Sequence, residues 1–120
     1  MEILSWVMIG ALAVWLIYKM IGPAKGMPSV TTDEVKPMLK TKGIQFIDVR
    51  TPGEYRANGL KAFKNIPLNE LPRRLDELDR DKETYIICQS GARSSRACAI
   101  LKKNGFSQVT NIRGGMGTWR

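Results

Sequence analysis

Thr84-Tyr85-Ile86-Ile87-Cys88-Gln89-Ser90-Gly91-Ala92-Arg93-Ser94-Ser95-Arg96 is the stretch on which the fold turns. Thr84 to Ile87 is a short run with aromatic and β-branched residues, the pattern of a buried strand. It breaks at Cys88. The next residues are small or polar, and Gly91 falls where a tight loop needs freedom in φ. Ser94 or Ser95 is expected to cap a helix that runs on through Ala97, Ile100 and Leu101 to Lys103. Strand, cysteine, tight loop and helix start together put a sulfur among backbone N–H groups at the positive end of a helix. Such a setting stabilises an anion and lowers a thiol pKa.

Outward from this stretch, strands and helices alternate. Thr31-Thr32-Asp33-Glu34 is a capping signal for a helix with Val35, Met38 and Leu39 on one face. Ile44 to Val49 is predicted as a strand, and Thr51-Pro52-Gly53-Glu54 as the opening of a short helix. Asn65 to Pro67 is a further short strand. Leu68, Leu71, Leu75 and Leu78 recur at helical spacing among Arg73, Arg74, Asp76 and Glu77, which predicts an amphipathic helix. After the Cys88 unit come Asn104-Gly105 as a C-cap, a strand over Val109–Ile112 and a final turn. This alternation predicts an α/β fold in three layers, a central parallel sheet flanked by helices. Ligands of such sheets bind off the carboxyl ends of the strands, where Cys88, Arg50 and Arg113 stand.

Composition narrows the chemistry. The chain has 120 residues and a net charge of +8; all but two of its 19 Lys/Arg and all but one of its 11 Asp/Glu follow residue 27. The positive residues are scattered and no nucleic-acid motif is present, so nucleic acid is not an expected partner. There is no histidine. That excludes a Cys–His dyad, a Ser–His–Asp triad and a histidine metal site. No metal or cofactor is expected. Cys88 and Cys98 are too few for a disulfide framework and suit a reducing compartment.

Four motifs in order carry a family resemblance over residues 29–119: Phe46-Ile47-Asp48-Val49-Arg50 with Glu54-Tyr55, Asn65-Ile66-Pro67, the Cys88–Arg93 loop, and Gly114-Gly115-Met116-Gly117-Thr118-Trp119. Together the chain resembles a rhodanese domain, a sulfurtransferase whose cysteine carries a persulfide. The resemblance implies Cys88 as the nucleophile and Gln89, Ser90, Gly91, Ala92, Arg93 and Ser94 as the substrate-binding loop. It implies a small anionic sulfur donor, such as thiosulfate or a persulfide, and cyanide, a thiol or a protein sulfur acceptor. Gln89 and Ser90 are expected to act through backbone N–H groups. Arg93 closes the loop through carbonyls or faces the substrate. Asp48 and Glu54 are expected to cap or to form ion pairs, for instance with Arg50. Cys98 and Trp119 are expected to pack. The chain departs from the family between Glu54 and Asn65: Asn58-Gly59-Leu60 stands where relatives carry Gly-His-Ile.

Two other readings of the loop exist. Related folds use a similar loop in phosphatases and arsenate reductases, with five residues between cysteine and arginine. Here four lie between Cys88 and Arg93, as in sulfurtransferases. A non-catalytic sulfide-sensing module is the third reading, and the intact Cys88 loop argues against it.

The N-terminus has a different character. Ile3 to Tyr18 carries no charge, and Ile3 to Ile21 approaches the ~20 residues of a membrane span, with Trp6 and Tyr18 near its ends and Lys19 able to snorkel. Residues 1–21 are therefore expected to be a single transmembrane anchor, 22–28 a Pro/Gly linker, and 29–120 the domain. Lys19 and Lys25 follow the span and no basic residue precedes it, which predicts a cytoplasmic domain held at the lipid bilayer.

Overall fold

The computed structural model describes residues 2–21, with side chains through Ile17, and residues 27–120. Helix α1 covers Glu2–Ile21. Strand β1 (Ser29–Val30), helix α2 (Thr32–Val35), strand β2 (Ile44–Asp48), helix α3 (Pro52–Asn58), strand β3 (Lys64–Asn65), strand β4 (Glu83–Ile87), helix α4 (Ala92–Lys103) and strand β5 (Val109–Ile112) follow. The five strands form one sheet in the order β1-β5-β4-β2-β3, and every neighbouring pair is parallel.

The two faces of the sheet follow from alternation along each strand. Ile47, Val49, Ile86, Cys88 and Val109 face one core with Ala97, Cys98 and Leu101 of α4 and with Leu71 and Leu78. Phe46, Tyr85, Ile87 and Ile112 face the other, with Val35, Phe63 and, at its edge, Tyr55 and Trp119. Phe46 lies 5.2 Å from Phe63 and 5.8 Å from Tyr85 between ring centres, and Trp119 meets Phe63 edge-on at 6.1 Å. Trp119 thus packs, as expected. The three-layer α/β architecture is as the alternation of elements predicts.

Local chemistry sets the element ends. Thr31 and Thr51 each form a capping box, with Glu34 and Glu54 respectively, and Pro52 opens α3. Several boundaries differ from expectation. The leucine-spaced stretch is not an α-helix: it forms two separate 3-10 turns, Leu71–Arg73 and Leu75–Glu77. Pro72 removes a backbone donor, so hydrogen-bonded helix cannot run through from Leu68. Leu71 and Leu78 still reach the core. Likewise α2 gives way at Pro37 to a 3-10 turn over Lys36–Met38. β1 is a two-residue edge strand without a periodicity of its own, and its pairing with β5 defines it.

Helix α1 contributes nothing described to either core, and its described side chains are exposed. Among the described residues, no helix is long and apolar enough to cross a membrane. The span expected over residues 1–21 is therefore not found among the described residues. Tyr18, Lys19 and Ile21 of that span, as side chains, and residues 22–26 of the expected linker lie outside the described residues.

An ion pair is buried in the domain. Arg50 and Asp48 are each 1 % exposed and pair through Arg50 Nη2 to Asp48 Oδ2 at 2.8 Å. Arg50 Nε adds contacts of 3.1 Å to both carboxylate oxygens, and the Arg50 N–H donates to Oδ1 at 2.9 Å. Arg50 Nη1 reaches Asn58 Oδ1 at 2.5 Å. Removing one partner leaves a buried charge uncompensated, so Asp48→Ala should destabilise the domain by about 3–5 kcal/mol in denaturant unfolding. A loss below about 1 kcal/mol would show that Arg50 finds water instead.

Candidate active site

Cys88 follows the last residue of β4, the central strand, so its neighbours come from both sides of the sheet. Val49, just past β2, donates its N–H to Ile87 O at 3.0 Å. The chain after β3 continues along β2, with Ile66 N–H to Asp48 O at 2.9 Å and Leu68 N–H to Val49 O at 3.0 Å. Asn65 Nδ2 bonds the carbonyls of Asp48 and Arg50, each at 3.0 Å. The Asp-x-Arg and Asn-Ile-Pro motifs are thus one rim at the carboxyl ends of the strands.

The loop itself is closed by backbone. Gly91, at φ 102°, is the N-cap of α4. The helix begins at Ala92, earlier than the Ser94 or Ser95 start expected from capping preference, because Gly91 alone can take this left-handed turn cheaply. Ser94 is instead buried inside the first turn. The Gly91 N–H donates to Cys88 Sγ at 3.0 Å, and Ser94 Oγ lies 3.3 Å from the sulfur. Ser94 Oγ also donates to Asn111 Oδ1 at 2.5 Å, while Asn111 Nδ2 holds Gly91 O at 3.3 Å. The amide oxygen can only accept, so in the thiol state the Ser94 proton points to Asn111 and the S–H can donate to Ser94 Oγ. On ionisation the hydroxyl proton is free to turn to the sulfur.

Burial alone pushes the Cys88 thiol up. The Ser94 hydroxyl and the N–H groups of Ser94, Gly91 and Ser90 push it down further, and the net shift is downward. Cys98 sits in the same core and is equally buried, yet burial drives its thiol up to about 12. Exposure does not separate the two cysteines; hydrogen bonding does. Cys98 packs, as expected from its place on α4.

Arg93 does not close the loop through carbonyls. Its guanidinium makes a two-pronged pair with Glu54, 2.7 Å from Nη1 to Oε1 and 2.9 Å from Nη2 to Oε2. Glu54 therefore both caps α3 and neutralises Arg93, and the Arg93 guanidinium is the leading cause that lowers its carboxyl to about 2. Gln89, Ser90 and Ala92 lie exposed at the loop. Arg113, expected at the mouth, is turned to Ser29 Oγ at 3.2 Å.

Two contributors were not anticipated. Asn111 is one: a polar residue on β5 pointing to the α4 side, where an apolar residue is usual, was the available signal. The other is the C-terminal glycine turn. Met116 N–H donates to Cys88 O at 2.8 Å and Gly117 N–H to Gln89 O at 2.9 Å. A Cβ on Gly115 would sit 2.2 Å from Cys88 O, so the turn lies directly on the loop backbone.

The sequence profile of the rhodanese-like domain matches residues 31–120. The chain belongs to the rhodanese-like family. Relatives include the Bacillus subtilis protein YqhL, 32 % identical over 113 residues, with 94 % of this chain and 88 % of that protein covered. A sulfurtransferase of Allochromatium vinosum is 37 % identical over 82 residues, covering 68 % of this chain and 77 % of its own length. A rhodanese-like domain protein from Staphylococcus aureus superposes with a TM-score of 0.73 at 36 % identity, covering 78 % of this chain and 92 % of its own. In this rhodanese-like domain the N–H groups of Ser90, Gly91 and Ser94 lie against the Cys88 sulfur.

Ser94→Ala should raise the midpoint of Cys88 alkylation by roughly one pH unit, since a hydrogen bond to a charged group contributes about 1.5–3 kcal/mol. The rate of alkylation against pH, with the modified cysteine located by mass spectrometry, measures this. Cys98 should stay unmodified until strongly alkaline pH; equal labelling of both cysteines at neutral pH would contradict the assignment.

Proposed function

We propose that this rhodanese-like protein is a sulfurtransferase that carries sulfane sulfur as a Cys88 persulfide. The Cys88 thiolate attacks the outer sulfur of thiosulfate or of a persulfide. The S–S bond of the donor breaks, and sulfite or a thiolate leaves with the bonding electron pair. In the second half-reaction cyanide or a thiolate attacks the terminal sulfur, and Cys88 departs as the thiolate. This is covalent catalysis in two steps with no net redox change. The observation that carries the reading is the sulfur at 3.0 Å from the Gly91 N–H, in a loop whose net effect is to favour the anion. The named sulfurtransferase among the relatives supports the same chemistry.

Purified protein incubated with thiosulfate or an organic persulfide should gain the mass of one sulfur on Cys88. Cys88→Ser should abolish transfer to cyanide, and Cys98→Ser should retain most of it. Efficient hydrolysis of a phosphate ester, with no sulfur taken up, would favour a phosphatase instead.

We also propose that residues 3–21 tether the domain to a bilayer, with the domain on the cytoplasmic side. The support is the uncharged run Ile3–Tyr18 and the basic residues that follow it. Full-length protein should resist carbonate extraction from membranes, and protease added to intact cells should leave the domain uncut. Extraction into the soluble fraction would refute the tether, and cleavage on intact cells the orientation.

A further inference from the structure

A cleft of about 300 Å³ opens over the carboxyl ends of the strands, lined by Val49, Thr51, Pro67, Leu68, Asn69 and Arg93. Two of these residues adjoin the Cys88 loop. Val49 is hydrogen-bonded to Ile87, the residue before Cys88, and Arg93 lies in the first turn of the helix that closes the Cys88 loop. The volume is at the lower end of small-molecule sites. Its floor is apolar, formed by Val49, Pro67 and Leu68, and its polar groups stand at the rim.

The charge at that rim decides what enters. Arg93 is the cation of the loop, and each of its terminal nitrogens donates one hydrogen bond to Glu54. The pair is about one-third exposed on each side, so it sits at the mouth rather than inside the core. A dianion approaching Arg93 therefore meets a carboxylate next to the guanidinium, and the attraction largely cancels. The monoanion of an organic persulfide loses less at this rim than a dianion does, and its carbon skeleton gains contact with the apolar floor.

We propose that this cleft binds the carbon-bearing arm of a small organic persulfide or thiol, and that the Arg93–Glu54 pair selects such compounds over thiosulfate. The inference rests on the sulfurtransferase reading and narrows its substrate class. In the donor half-reaction the Cys88 thiolate takes the terminal sulfur of R–S–S⁻, the S–S bond breaks, and the thiolate R–S⁻ leaves while R occupies the cleft. In the return half-reaction an acceptor thiolate, its own arm in the same cleft, attacks the sulfane sulfur and releases Cys88.

The test compares donors and variants by kcat/KM, using thiosulfate, cysteine persulfide and benzyl persulfide with cyanide as the common acceptor. Both organic donors should exceed thiosulfate, and benzyl persulfide should have the lowest KM. Glu54→Gln keeps a side chain able to cap α3 but frees the charge of Arg93. It should raise the thiosulfate-to-persulfide ratio of kcat/KM about tenfold. Leu68→Ser should raise the KM for benzyl persulfide several-fold more than that for thiosulfate, and this second variant tests the cleft if Glu54→Gln does not fold. An unchanged donor ratio in Glu54→Gln, or equal KM changes for all donors in Leu68→Ser, overturns the proposal. If no donor loads Cys88 at all, the sulfurtransferase reading itself fails. If all donors load it and thiosulfate is preferred by the unaltered protein, only the selectivity inference fails.

Discussion

A loop that turns its N–H groups toward one sulfur must turn carbonyls away from it. Those carbonyls still need partners, because an unpaired buried backbone group is destabilising. The rest of this domain can be understood as the supply of those partners. Met116 and Gly117 donate to the carbonyls of Cys88 and Gln89, and Ser95 N–H and Asn111 Nδ2 to that of Gly91. The C-terminal glycine turn therefore braces the Cys88 loop although Met116 and Gly117 lie 28 and 29 residues beyond the cysteine in sequence. Gly115 has to be glycine for two reasons at once: its φ is 54°, and any Cβ would collide with the Cys88 carbonyl.

Sheet order explains why these parts meet. With β4 in the centre, the Cys88 loop is flanked by the end of β2 on one side and the end of β5 on the other. The β2 side brings the Asp48–Arg50 pair, which is held in turn by Asn58 and, through backbone carbonyls, by Asn65. A buried ion pair contributes little net stability compared with apolar packing. Here it fixes a geometry: the chain leaves β2 in a defined direction, so that Glu54 arrives opposite Arg93. The β5 side brings Asn111 and the glycine turn. Four motifs scattered along the sequence become a single ring because each follows the carboxyl end of a neighbouring strand or packs on it.

The strand, cysteine, loop and helix order was readable from the sequence because local chemistry dictates each part. β5 and the capping boxes at Thr31 and Thr51 follow from patterns within a few residues. What could not be read depends on distant partners. The Ser94 capping assignment failed because serine preference is a local rule, whereas Gly91 is constrained by the approach of Gly114, whose N lies 3.3 Å from where a Cβ would be. The Leu68–Leu78 stretch is not one helix because leucine spacing is also compatible with consecutive 3-10 turns, and Pro72 cannot donate the hydrogen bond a continuous helix needs. Arg93 is expected from sequence to close the loop through carbonyls or to face the substrate; its hydrogen-bond partner, Glu54, is 39 residues upstream, beyond the reach of a local rule. β1 has only two residues, so no periodicity could have revealed it.

The two cysteines show how narrow the physical margin between structural and reactive is. Both are fully buried on the same face of the sheet, in the same apolar cluster. Burial by itself would make both inert, as it does Cys98. Cys88 differs because it stands at the end of a strand, where amides not used by the sheet are available, and because Ser94 supplies a hydroxyl proton that Asn111 shares. Asn111 then acts in two directions. It holds the Gly91 carbonyl, which keeps the loop closed, and it competes with the thiolate for the Ser94 proton. A residue that only tightened the loop could be replaced by packing from an apolar side chain. A residue that also sets where the Ser94 proton rests has to present both a donor and an acceptor at fixed spacing, and asparagine does so with one planar group.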